Sequence, residues 1–215
     1  MTTRILLVRH GATELSAEDR FAGSTDVPLG AEGRLQVELL GRRLAGESFA
    51  AAYASPLGRA LDTATAVARP HGLPVKVIDG LREIDHGRWE GLRHEDAEVT
   101  YPDEYAAWRH DPFNFAPTGG EAGKHVLERA LRAFQQIVEA HPGERVLVVS
   151  HKATIRLVIA HALGFDPRGY RDRLEQMPAC LNIIEMGPDG MGRLMLLNDV
   201  SHYACEPRAV VVSHG

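Results

Sequence analysis

Cysteine is nearly missing from this sequence: two residues, Cys180 and Cys205, in a chain of 215. That excludes a disulfide-stapled secreted scaffold and points to a reducing, cytoplasmic setting. No apolar run approaches the roughly 20 residues of a membrane helix. The start, MTTR, leads into only four strongly apolar residues, short of a signal-peptide core. An excess of basic charge is lacking too. Lys and Arg number 24 against 29 Asp and Glu, a formal net charge of −5. A general nucleic-acid binder needs the opposite balance, so neither nucleic acid nor membrane is expected as a partner. A small anionic substrate stays open, because a local basic pocket can sit on an acidic surface. There is no fixed-period repeat and no low-complexity tract. What is present, 44% apolar and 25% charged residues, is the composition of an ordinary globular domain with its own core.

Apolar runs of strand length occur at 5–8 (ILLV), 75–78 (VKVI), 146–150 (VLVVS), 180–186 (CLNIIEM) and 194–198 (LMLLN), with a weaker one at 50–53. Helical patterns separate them. Residues 31–46 place Leu35, Leu39, Leu40 and Leu44 on one stripe and stop at Gly46. Residues 57–72 place Leu57, Leu61, Ala64 and Ala68 on one face and end at Pro70. Residues 124–143 align Val126, Ala130, Phe134, Ile137 and Val138 and end at Pro142-Gly143. Residues 154–164 are apolar nearly throughout, the pattern of a buried helix. Alternating strands and helices predict an α/β three-layer sandwich, a mostly parallel sheet flanked by helices. The stretch 81–124 breaks the alternation. It holds Trp89, Trp108 and several prolines, and reads as a lid inserted within one domain spanning 1–215.

In open α/β sheets, ligands meet the carboxyl ends of the strands. The first strand ends at Arg9-His10-Gly11 and the run at 146–150 ends at His151-Lys152. Arg59 opens the helix after the short strand, and Glu83 follows another strand. Folding as a parallel sheet brings Arg9, His10, Arg59, Glu83 and His151 together from five places in the chain. Guanidinium groups bind phosphate oxygens as planar forks. A neutral imidazole, held neutral by neighbouring cations, is a competent nucleophile towards phosphorus. A carboxylic acid can protonate the leaving oxygen, and on spacing alone either Glu83 or Asp85 could do so. Side-chain cations replace a metal ion in such a design, so no cofactor is expected. His86 could reach the pocket or serve the structure. His94, His110, His125, His141 and His161 match no metal-ligand spacing, and Trp89 and Trp108 read as lid packing.

The segments LVRHGATE (7–14), SPLGRALDTA (55–64), LREIDHGRWEG (81–91) and VVSHKATIR (148–156) together resemble the histidine phosphatase superfamily, the phosphoglycerate mutase-like fold. STDVPLGAEGRLQ (24–36), TGGEAG (118–123) and LNDVSHY (197–203) are similar to its intermediate and closing segments. The resemblance spans nearly the whole chain. It implies that His10 is the nucleophile that becomes phosphohistidine. Arg9, Arg59 and His151 then bind the transferring phosphoryl group, and Glu83 is the proton donor. Ser16, Gly23 and Lys152 are further candidate phosphate contacts. Ser16 stands where the family often has Asn, Ala22 where Gln is common, Lys152 where Gly usually follows the second histidine, and Ala122 where Ser is common. These departures bear on the substrate rather than on the reaction. Hydrolysis of a small phosphorylated metabolite is expected over mutase action, because the family's mutases carry a longer insertion. A phospholigand-binding protein without catalysis is the third reading. A homodimer is possible in a small enzyme of this fold. The sequence VVVSHG (210–215) imitates VVSH at 148–151, but no residues follow Gly215 to form a helix. The expectation is therefore that His151 carries the chemistry, that its helix offers an N-terminus to phosphate, and that 207–215 is a tail or edge strand.

Overall fold

A computed structural model describes residues 1–18 and 20–204, apart from the side chains of Ser16 and Ala17. The expected tail at 207–215 and Cys205 lie outside the described residues. In chain order the elements are β1 (Thr3–Arg9), α1 (Glu14–Ala17), α2 (Ala31–Leu44), β2 (Ala51–Ala54), α3 (Gly58–Ala68), β3 (Val75–Val77), α4 (His94–Thr100), α5 (Pro102–His110), α6 (Gly123–Ala140), β4 (Arg145–Ser150), α7 (Lys152–Ala162), α8 (Tyr170–Arg173), β5 (Leu181–Met186) and β6 (Gly192–Asp199).

The six strands form one sheet in the order β3-β2-β4-β1-β5-β6. The pairs β1·β4, β2·β4 and β2·β3 are parallel. β5 runs antiparallel to both β1 and β6, so it alone opposes the common direction. The reason is local: β5 and β6 are joined through Gly187–Gly190, where the Gly187 N–H donates to the Met191 carbonyl at 2.8 Å. So short a connection can make only an antiparallel hairpin.

β1 is apolar on both sides because it is covered on both sides. Ile5 and Leu7 join the core beneath α6 and α7, while Leu6 and Val8 join the core beneath α2 and α3. The α6 stripe forms as its periodicity predicts, with Val126, Ala130, Phe134, Ile137 and Val138 all buried. Val126, Phe134 and Ile137 each contribute on the order of 1.5–3 kcal/mol by that burial. α7 is buried almost throughout.

Two stripes differ from expectation. In α2 the inward face is Gly33, Val37, Leu40 and Leu44, whereas Leu35 is 56% exposed and Leu39 half-buried. In α3 it is Ala60, Ala64, Val67 and Ala68, with Leu57 and Leu61 only half-buried. Small residues won the inward face because these helices lie close to their neighbours. A Cβ on Gly33 would stand 2.0 Å from the Ala12 carbonyl oxygen. α3 itself stops at Ala68, and Pro70 sits in a short 3₁₀ turn after it. The 81–124 stretch packs its rings on Phe21: Trp89, Tyr105 and Trp108 form with it a separate aromatic core.

Candidate active site

β1 and β4 lie side by side and in parallel, with Arg9 opposite Ser150. The next residue on each strand is a histidine, and the two rings stand 5.1 Å apart between centroids. Gly11 lets the chain turn away at once. A Cβ there would meet the Gly33 carbonyl oxygen at 2.6 Å and Val37 Cγ2 at 2.8 Å.

His10 Nδ1 lies 2.7 Å from the Gly11 carbonyl oxygen. A carbonyl only accepts, so this partner assigns the proton to Nδ1 and leaves the lone pair on Nε2. Burial, then the charges of Arg9 and Arg59, hold the His10 pKa well below its ordinary value. The ring is neutral at pH 7. His151 is wholly buried, and its pKa is likewise well lowered, by burial first and then by His10, Arg59 and Arg9. Its Nε2 is 2.7 Å from Ser55 Oγ, and its Nδ1 is buried with no hydrogen-bond partner.

A cavity of about 380 Å³ opens beside His10, within the range of small-molecule sites. Arg9, Arg59, Glu83, Gly23 and Lys152 all reach its wall. His151 does not; it lies behind His10. The Ser16 side chain lies outside the described residues. Arg9 is 7% exposed and donates from Nη1 to the Gln176 carbonyl at 2.6 Å. Arg59 is 1% exposed and donates to the carbonyls of Thr25 and Gly23, each at 2.7 Å. In both residues Nε is buried without a partner. Buried donors left unpaired are costly, and here they border a cavity suited to an anion.

Gly23 contributes through its carbonyl, which anchors Arg59. It holds a φ of +48°, and a Cβ there would meet Glu90 Oε1 at 2.1 Å. Glu90 accepts from the Ser24 N–H at 2.7 Å and the Thr25 N–H at 2.9 Å, and from both hydroxyls. It fixes the loop that Arg59 grips.

Glu83 settles at the N-terminus of α7. Its carboxylate accepts from the N–H groups of Ala153 at 3.2 Å and Thr154 at 3.3 Å, and from its own neighbour Ile84 at 3.0 Å. The helix end that the sequence offered to phosphate therefore holds a carboxylate, which corrects that expectation; the same dipole logic applies to either anion. Asp85, the rival acid, instead caps the Gly87 N–H at 2.7 Å.

Several wall residues escaped the sequence reading. Arg20, Arg156, Tyr170 and Arg171 line the cavity. His94 and Trp108, assigned above to no site, line it as well, with His94 stacked on Phe21 at 4.1 Å. His86 reaches the wall, its Nδ1 buried without a partner. His141 is structural, bonded to Tyr53 Oη at 2.9 Å and Glu144 at 2.6 Å. Among the described residues no three His, Cys, Asp or Glu side chains are grouped to hold a metal ion, and no helix is long and apolar enough to cross a membrane.

Residues 5–200 match the sequence model of the histidine phosphatase superfamily, branch 1. The chain belongs to that superfamily. Among curated relatives of this chain, the bifunctional protein Rv2228c of Mycobacterium tuberculosis is 38% identical over 201 residues. That match covers 93% of this chain and 55% of the relative, so the chain spans about half the length of that protein. The adenosylcobalamin/alpha-ribazole phosphatase of Escherichia coli is 34% identical, covering 75% of this chain and 79% of its own length. Among solved structures, Bacillus stearothermophilus YhfR superposes with a TM-score of 0.86 at 34% identity, covering 93% of this chain and 98% of YhfR. The phosphoglycerate mutase-like α/β fold expected from the sequence is the fold observed.

Proposed function

We propose that the protein is a phosphomonoesterase that hydrolyses a small phosphorylated metabolite through a phosphohistidine on His10, without a metal ion. The observation that carries this reading is the neutral His10, its Nε2 lone pair free, beside two buried guanidiniums with unpaired donors. Relatives named as phosphatases support it.

In the first step Nε2 of His10 attacks phosphorus and the P–O bond to the leaving group breaks. Glu83, carrying a proton, gives it to the departing oxygen. The carboxylate left behind is received by the amides of Ala153 and Thr154. Arg9 and Arg59 meet the charge on the equatorial oxygens, where positioned cations lower the barrier most. Ser55 donates to His151 Nε2, which puts the His151 proton on Nδ1, and this neutral ring packs against His10 from behind the cavity wall. In the second step Glu83 takes a proton from water, whose oxygen attacks phosphorus. The P–N bond breaks, inorganic phosphate leaves and His10 is restored. The 81–124 segment acts as the cover, since it supplies Glu83, His86, His94 and Trp108 to the wall.

The test is phosphate release from p-nitrophenyl phosphate and a panel of metabolite esters with EDTA present. Hydrolysis predicts release, together with an acid-labile phosphoenzyme that is lost in His10→Ala. Isomerisation that requires a bisphosphate primer would show a mutase instead. Binding without either reaction would show a phospholigand-binding protein.

A further inference from the structure

The cavity carries more positive charge than a phosphoryl group uses. Its wall holds Arg9, Arg20, Arg59, Lys152, Arg156 and Arg171 against one carboxylate, Glu83. Arg20 is bound to Glu18 and to the Gly91 carbonyl. Arg156 and Arg171 come from the elements that follow β4, and both lie within electrostatic reach of the buried Tyr170 hydroxyl.

Arg171 is held in place on three sides. Its guanidinium lies over the Trp108 ring at 4.3 Å from the centroid. Nε donates to Asp172 at 3.1 Å, and Nη2 donates to the Arg109 carbonyl at 3.3 Å. The remaining Nη1 is buried and has no partner. Arg156, 7% exposed, donates from Nε to the Leu174 carbonyl, and its Nη2 is 3.5 Å from Glu175. The carboxylates of Asp172 and Glu175 are 72% and 60% exposed. Water screens pairs of that kind strongly, so the field inside the cavity stays positive. A guanidinium fixed by stacking, on a residue that lines the cavity, is organised for an oxyanion that comes with the ligand.

We propose that Arg171, supported by Arg156, receives a second anionic group on the leaving-group side of the substrate. Arg171 thereby selects phosphomonoesters bearing a carboxylate or further phosphate over esters of neutral alcohols. This rests on the phosphatase reading above and names its substrate class.

The experiment compares matched esters on the same enzyme preparation: phenyl phosphate with 3- and 4-carboxyphenyl phosphate, and glycerol 3-phosphate with 3-phosphoglycerate. The wild-type protein is expected to favour the carboxylated member of at least one pair by about tenfold or more in kcat/KM, as a charge-assisted fork implies. Arg171→Gln should bring that ratio close to one. Arg171→Lys should fall between, because it keeps the charge and loses the fork and the stacking. Since both members of a pair meet the same protein, a poorly folded fraction cancels from the ratio. A flat ratio in the wild type, or a preference that survives Arg171→Gln, overturns the assignment. In either case His10-dependent turnover of the neutral esters leaves the phosphatase reading standing. No phosphate release from any ester sinks both.

Discussion

Arg129 Nη2 donates to the backbone carbonyl of Glu83 at 2.9 Å. The same guanidinium donates to the carbonyls of Gly80 at 2.9 Å and Arg82 at 2.7 Å, and makes a two-pronged pair with Glu121 at 2.9 and 2.8 Å. One side chain of α6 thus fixes the loop that presents the acid. Arg129→Ala strands the Gly80 and Glu83 carbonyls and the Glu121 carboxylate, while the Arg82 carbonyl keeps the Thr154 hydroxyl, and should cost roughly 3 kcal/mol or more. Arg129→Lys retains the charge and should cost less. In that variant, turnover of alkyl phosphates should fall further than turnover of p-nitrophenyl phosphate, because only the former need a well-placed acid. Thermal denaturation and the ratio of the two rates check both halves; a uniform fall in both rates would assign Arg129 to stability alone.

Glu83→Gln removes the transferable proton while keeping acceptor oxygen at the α7 amides. Alkyl phosphates, whose alkoxide leaves poorly, should slow by roughly 10²–10⁴. p-Nitrophenyl phosphate, whose phenolate leaves unaided, should slow far less. Equal slowing of both substrates would remove Glu83 from the acid role.

Stability should fall with pH below about 6.5, and the sign follows from His10 and His151. Both have folded-state pKa values well under the ordinary 6.5. Between the two values the unfolded chain binds protons that the folded protein refuses, so acid favours unfolding. Stability from this source is fully present above pH 6.5 and declines as pH drops towards the lowered values. Each histidine contributes a slope of up to about 1.4 kcal/mol per pH unit. Denaturant titrations at pH 8, 6 and 5 should show a shallower decline for His10→Gln than for the wild type. Parallel declines would mean that the ring is not held neutral.

Gly11→Ala forces a methyl group against the Gly33 backbone and Val37. Overpacking of this kind costs typically about 1–3 kcal/mol. The expected result is a lower melting temperature together with a displaced His10, hence weaker turnover in the fraction that folds. Unchanged stability would show that α2 yields easily to β1.

Much of this architecture was legible because buried parallel strands are written as unbroken apolar runs, and Arg9 and His10 after ILLV and Lys152 after VLVVS reach the cavity wall, with His151 behind them. The helix faces of α2 and α3 were misread for a definite reason. Ala64 and Ala68 were placed correctly, but weighting leucines passed over Gly33 and Ala60, small residues that face inward. The wall residues Arg156, Arg171 and His94 were illegible for another reason. Nothing in local spacing reveals that a residue of α8 will stack on Trp108 from α5. Arg129 and Ser55 act on a backbone carbonyl and on a ring nitrogen that are distant in sequence. Such pairings exist only after the chain has closed. The α7 N-terminus was read as a phosphate site, and it holds the Glu83 carboxylate instead.

The three layers each hold one part of the proposed reaction centre. The sheet carries His10, α3 on one side carries Arg59, and the α6–α7 layer on the other secures Glu83. In the proposed mechanism, alignment of His10 and Glu83 is therefore set by the thickness of the apolar filling between sheet and helices. Phe134, remote from the cavity and 1% exposed, is a spacer in that filling. Trimming such a spacer should therefore slow turnover, since displacements near 1 Å can slow an enzyme by about 10²-fold. Core residues with no view of the substrate thus set the gap across which the proton must pass.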